Sequence, residues 1–134
     1  MPGRAIQVPP NSDLTLGMVC TDKSQPGLTV WQMLADERFA NPAGILQGGF
    51  LGAFCDSAMG AAAVTHAGGR KVSVVNAEMK VSFLAPVEIG TTLTCRAEVI
   101  AGGKRAAFVE ASVTDPSGTL VARASSTYLI RDRH

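Results

Sequence analysis

At 134 residues the chain has the length of one domain with a sizeable core, and 46% apolar against 17% charged residues describes a globular protein with much buried or interfacial surface. A net charge of +1 leaves no electrostatic case for binding nucleic acid or an anionic membrane. Two histidines, His66 and His134, exclude a His-rich metal site, and no metal-ligand cluster or CxxC pair occurs.

Residues 1–13 are Pro-rich and polar and read as a flexible arm, with no apolar leader segment; 14–134 read as the single folded domain. Residues 14–21 (LTLGMVCT) are expected to form a strand, 22–27 a turn, and 28–36 (LTVWQMLAD) a second strand. A helix is expected from about Gly48 to Thr65, stopped at Ala67-Gly68-Gly69. The period then switches to two: Val75, Ala77, Met79, Val81 and Phe83 alternate with Asn76, Glu78, Lys80 and Ser82, as in a half-buried strand. Strands over 91–100, 105–114 and 119–131 follow, separated by Ala101-Gly-Gly-Lys104 and Asp115-Pro-Ser-Gly118, and the last four strands are expected to run as a meander. A helix apolar nearly all round needs cover on every side, which a strongly curved antiparallel sheet provides. The three cysteines, Cys20, Cys55 and Cys95, read as free thiols in a reducing, cytoplasmic compartment. The apolar segment 45–64 holds Asp56 and four glycines, which argues against a membrane span.

The stretch NPAGILQGGFLGAFCDSAMGAAA, residues 41–63, concentrates the chemistry. Gly48-Gly49 opens the helix, where backbone N–H groups lack intrahelical partners and favour an oxyanion. Asp56 interrupts the apolar run, and its neighbours one turn away, Gly52, Ala53, Met59 and Gly60, offer no cation. Such a carboxylate must find a partner elsewhere in the fold or do work. Eight residues separate Gly48 from Asp56, roughly 12 Å along a helix axis, whereas a reacting carbonyl needs nucleophile and oxyanion donors each about 3 Å away. If both act on one carbonyl, Gly48 of one subunit must meet the partner subunit's Asp56, which makes the protein a dimer with interfacial sites.

Asn41, Gly44, Gln47-Gly48-Gly49 and Asp56 together resemble the motif of the hotdog-fold acyl-CoA thioesterases, in the phenylacetate-pathway (PaaI-like) branch. Many members carry His where this chain has Gln47. The resemblance continues through NAEMKVSFLAP (76–86) and covers roughly residues 28–130. It implies an α+β hotdog fold, one long helix wrapped by five to six antiparallel strands. It implies hydrolysis of an aromatic or short- to medium-chain acyl-CoA by a homodimer paired into a homotetramer, with coenzyme A as part of the substrate and no further cofactor.

On that reading Asp56 attacks the thioester carbonyl or activates water; the alternative is a buried carboxylate bonded to backbone or to a partner subunit. Gly48 and Gly49 polarise the carbonyl through their N–H groups, form a tight turn into the helix, or do both. Gln47 either donates an amide N–H to substrate or water, or faces solvent; unlike His, it carries no proton at neutral pH. Asn41 matches a position that helps hold nucleophile or water, and is also ordinary turn chemistry before Pro42. Asn76 matches a position beside the carboxylate, where its amide would bond Asp56, although its strand phase with Glu78 and Lys80 points outward. Lys104, Arg105 and Arg70, with Lys71, are candidates for the coenzyme A phosphates. A hydratase would need a His paired with a carboxylate, and a non-catalytic acyl-CoA-binding protein is the remaining rival.

Overall fold

The computed structural model describes residues 7–133. A short helix, α1 (Asn11–Leu16), leads into the hairpin of β1 (Val19–Gln25) and β2 (Leu28–Leu34). A 3-10 turn at Glu37–Phe39 and a loop precede α2 (Gly48–His66). Four strands complete the fold: β3 (Val72–Phe83), β4 (Thr92–Gly102), β5 (Ala106–Thr114) and β6 (Leu120–Asp132).

The six strands form one antiparallel sheet in the order β1-β2-β4-β5-β6-β3, wrapped around α2. Leu51, Phe54, Cys55, Ala58, Met59, Ala62 and Ala63 recur at the spacing of one helix face, and all are buried against the sheet. The inner face of the sheet makes room with alanine. Ala97, Ala111 and Ala124 lie side by side across β4, β5 and β6, at 0%, 2% and 4% exposure. Small side chains in that row let the helix sit close to the strands. The outer face carries the exposed ion pairs Arg96–Glu98 and Arg123–Glu110 at 2.9 and 2.8 Å, each worth at most about 1 kcal/mol. Helix α2 is not covered on every side: Gly49, Ala53 and Val64 leave an exposed line along it.

Two expectations are corrected at the ends of the chain order. Residues 14–21 are not one strand. Asn11–Leu16 is helical, closed by Gly17 at φ +70°, and the strand begins only at Val19. Leu14 and Leu16 fit a two-residue period, but burial of Asp13 and Leu16 on one side of a helical turn decided the outcome. The outer part of the presumed arm, residues 1–6, lies outside the described residues, whereas Asn11 to Asp13 belong to α1.

The last four strands are not a meander either. Only β4, β5 and β6 are sequential neighbours; β3 pairs with β6 at the sheet edge. The segment 84–91 therefore crosses from one side of β6 and β5 to the other. Eight residues span up to about 26 Å, ample for three strand spacings of about 4.8 Å. This crossover is pinned to the loop before α2, since Leu46 N–H donates to the Val87 carbonyl at 2.9 Å and Ile45 bridges Glu88.

The alternation expected over 75–83 also changes phase. A bulge at Ala77 breaks the β3–β6 register between Asn76 and Glu78. Before it, Val72, Val74 and Asn76 face the helix; after it, Met79, Val81 and Phe83 do. One inserted residue moves a strand's inward set by one position, so Val75 ends 64% exposed.

Candidate active site

Gly48, Gly52, Asp56 and Gly60 stand four residues apart and form one stripe of α2 facing β3. The Phe83 ring lies over Gly48, Met79 beside Gly52, Asn76 at Asp56, and Val74 beside Gly60. Asp56 is thus the one side chain on a stripe of glycines. No described cation pairs with it.

Its partners come from the sheet. Asn76 of β3 and Tyr128 of β6 are directly opposite each other across the ladder. The Asn76 amide donates to Asp56 Oδ1 at 2.9 Å. The Tyr128 hydroxyl lies 2.5 Å from the same oxygen and 2.8 Å from the Asp56 carbonyl oxygen. Asn76 Nδ2 also reaches Ser126 Oγ and the Tyr128 hydroxyl, at 3.2 Å each. Asp56 Oδ2 accepts no hydrogen bond from the described residues. Tyr128 is 2% exposed, and burial, followed by its bond to Asp56, holds its hydroxyl pKa well above the usual phenol range. It therefore remains a donor at any working pH.

The bulge explains why Asn76 points inward although it stands next to Glu78 and Lys80 on the polar phase of the sequence. The residue that sequence reasoning missed is Tyr128. Its signal was present: on β6 the inward phase reads Ala122, Ala124, Ser126, Tyr128, Ile130, and a buried tyrosine hydroxyl needs a polar partner.

The start of α2 is built from backbone. Gln47 is the N-cap; its exposed side chain makes no capping bond. Its own N–H donates to the Phe39 carbonyl at 2.9 Å, and Phe39 stacks on Phe50 with ring centroids 4.3 Å apart. The Gly48 and Gly49 N–H groups find no acceptor among the described residues. A Cβ on Gly48 would come within 3.0 Å of the Phe83 ring, whereas one on Gly49 would meet open space. Beside Gly48 opens an apolar groove of about 380 Å³, lined by Ile45, Leu46, Leu51, Phe83, Pro86 and Val87. Asn41 is not brought to Asp56 within the chain: its Oδ1 accepts from the Ala43 and Ile45 N–H groups at 2.9 and 3.2 Å and holds the loop.

At the far end of α2, Lys104 and Arg105 line a cleft of about 470 Å³ with Arg131. Arg70 is tied down, pairing with Asp132 at 3.0 Å and donating to the Lys104 carbonyl at 2.7 Å. His66 is there too, packed against Gly102, ten residues beyond Asp56. Among the described residues no three His, Cys, Asp or Glu side chains gather as a metal site, and no helix is long and apolar enough to cross a membrane.

Residues 43–122 match the Thioesterase superfamily, and that match spans more than half the chain. The chain belongs to this superfamily. Human acyl-coenzyme A thioesterase 13 is 28% identical to it over 119 residues, covering 87% of this chain and 83% of the relative. The phenylacetic acid degradation-related protein of Ralstonia eutropha JMP134 is 30% identical with a TM-score of 0.81, over 90% of this chain and 89% of that one. The E. coli PaaI protein from the phenylacetic acid degradation operon superposes with a TM-score of 0.82 at 22% identity, over 90% and 83% of the two chains, a likeness of fold alone. The thioesterase has the hotdog fold of the PaaI-like branch, with α2 as the helix the sheet wraps, as the motif at 41–56 implied.

Proposed function

We propose that this thioesterase hydrolyses acyl-CoA, with the thioester carbonyl on the Gly48/Gly49 N–H groups of one subunit and the partner subunit's Asp56 as the base or nucleophile. The observation that carries this reading is the state of Asp56. Two side chains grip one of its oxygens, and among the described residues the other oxygen has no hydrogen-bond partner and no cation pairs with the group. A carboxylate on the inward side of an apolar helix, held with one oxygen free, has the makings of a reactive group.

The same helix cannot serve both ends of the reaction, because Gly48 and Asp56 are roughly 12 Å apart along it. Two features favour a second copy. The line of Gly49, Ala53 and Val64 is exposed on α2, and β3 is a long edge strand with Val75, Met79 and Phe83 exposed. Such an edge is covered in a stable protein, here by its twin. We extend the assembly to a dimer of dimers, acting in a reducing cytoplasm that suits three free cysteines.

The reaction follows from these groups. Asp56 takes a proton from water as its oxygen adds to the carbonyl, or adds to the carbonyl itself. The oxyanion is met by N–H groups at the positive end of α2. Collapse breaks the C–S bond and expels coenzyme A as a thiolate. The acyl group, aromatic or short to medium in chain length, lies in the apolar groove beside Gly48. Coenzyme A phosphates meet Lys104 and Arg105, while Arg70 is engaged with Asp132. Gln47 and Asn41, near the helix start, orient substrate or water in this scheme. No further cofactor enters it.

Thiol release from phenylacetyl-, benzoyl- and hexanoyl-CoA by the wild type and by Asp56→Asn tests the proposal. Turnover lost in a folded Asp56→Asn protein supports it; full turnover in that variant overturns the role of the carboxylate. Tight binding of all three compounds without release by the wild type would reassign the protein as an acyl-CoA-binding module. A hydratase role is disfavoured because His66 lies at the far end of α2.

A further inference from the structure

Resting on that reading, we infer that Tyr128 is a positioning residue that fixes the rotamer of Asp56 and dedicates Oδ2 as its reacting oxygen. Four observations carry this. The Tyr128 hydroxyl has one proton, and the nearer of its two acceptors is Asp56 Oδ1, at 2.5 Å against 2.8 Å for the backbone carbonyl. That is the length of an O–H donor on an ionised carboxylate. Asn76 donates to the same oxygen at 2.9 Å, so among the described residues Oδ1 is committed twice and Oδ2 not at all.

The ring cannot swing away. It is fully buried on the inner face of the sheet and lies against Gly60 of α2, where a Cβ would sit 3.6 Å from Cε1. Finally, the arrangement has a cost that a purely structural core would avoid. With Nδ2 turned to the carboxylate, the Asn76 carbonyl oxygen is buried without a partner among the described residues. The amide is oriented for Asp56 rather than for its own saturation.

The consequence is the same by either chemical route. As general base, Oδ2 takes the proton of the attacking water. As nucleophile, Oδ2 forms the bond to the acyl carbon while the C–S bond breaks and its electron pair leaves with the thiolate; water then cleaves the anhydride. In both, Tyr128 never touches substrate and acts only through Asp56.

Tyr128 is the sole tyrosine of the chain, which permits a clean test. In Tyr128→Phe the ring stays and the donor goes. We expect kcat on an acyl-CoA that the wild type cleaves to fall on the order of 10- to 100-fold, as for loss of a hydrogen bond to a charged group. KM should hold within about twofold, since no substrate contact is removed. An unchanged kcat overturns the inference, and so does a fall in kcat/KM carried by KM rather than by kcat. Uniform 3-fluorotyrosine labelling places one fluorine label, at residue 128, in an otherwise intact protein. Its resonance should differ in chemical shift between the wild type and Asp56→Asn, because the hydroxyl loses its carboxylate acceptor; no difference between the two overturns the coupling without reference to activity, and does so even if Tyr128→Phe fails to fold. If Asp56→Asn retains turnover, the proposed reaction fails by itself, whatever the fluorine signal reports.

Discussion

Gly48 and Asp56 share one stripe of α2 and are built in opposite ways. The helix start is made of main chain. Its N–H groups find no acceptor among the described residues, and it is shaped by contacts within the loop that precedes it. The carboxylate is held by side chains 20 and 72 residues away in the chain, from the edge strand β3 and its neighbour β6. An oxyanion site needs only a helix that begins in the right place. A reactive carboxylate needs neighbours that orient it without neutralising it, and only distant elements can supply them.

Breaking the two ends separately should have unequal effects. Asp56→Asn is expected to lower thiol release by on the order of a thousandfold, within the range of a lost general base, with the melting temperature little changed. At the other end, Gly48→Ala should lower kcat about tenfold, because a Cβ there meets the Phe83 ring at 3.0 Å and shifts what lies at the helix start. Full turnover in Gly48→Ala would argue against the placement of the carbonyl.

The contrast extends to pH. The Tyr128 hydroxyl is held above its usual range by burial and by Asp56. In the unfolded chain it ionises near pH 10. Folded-state stability from this group is therefore complete below about pH 10 and is lost as pH rises beyond it. Tyrosinate absorbance should show no ionisation in the native protein near pH 10, and Tyr128→Phe should lose less stability than the wild type above it.

The smallest effect is expected at Asp13, on α1 and away from the catalytic stripe. It is 6% exposed, and desolvation raises its pKa, partly opposed by Ser57 and Ser12. Folding then favours the protonated acid, so stability falls as pH climbs through the carboxylate range. Asp13→Asn should raise the melting temperature by a few degrees at most at neutral pH, with the gain fading below about pH 4. A gain independent of pH would assign the effect to packing instead.

The sites were legible in the sequence to different depths for physical reasons. Gly48, Gly49 and Asp56 stand in one continuous helix, so their spacing along it could be read directly. Asn76 matched by position, yet its strand phase pointed outward, because an inserted residue such as Ala77 leaves no mark on a two-residue pattern. Tyr128 carried only the general signal of a polar tip on an apolar phase. The helix at Asn11–Leu16 was masked by Leu14 and Leu16, whose spacing fits a two-residue period.

Local sequence alone determined where α2 begins and ends and the extent of β2 and of β4 to β6 to within a residue or two, because turn residues, glycine stops and periodicity act over a few positions; the superfamily was legible only through the resemblance of the motif at 41–56. Only the tertiary structure decided that β3 joins β6, that a bulge turns Asn76 inward, and that Tyr128 meets Asp56. Those outcomes depend on pairing between segments far apart in the chain, where the competition to cover α2 and satisfy buried polar groups outweighs any local preference.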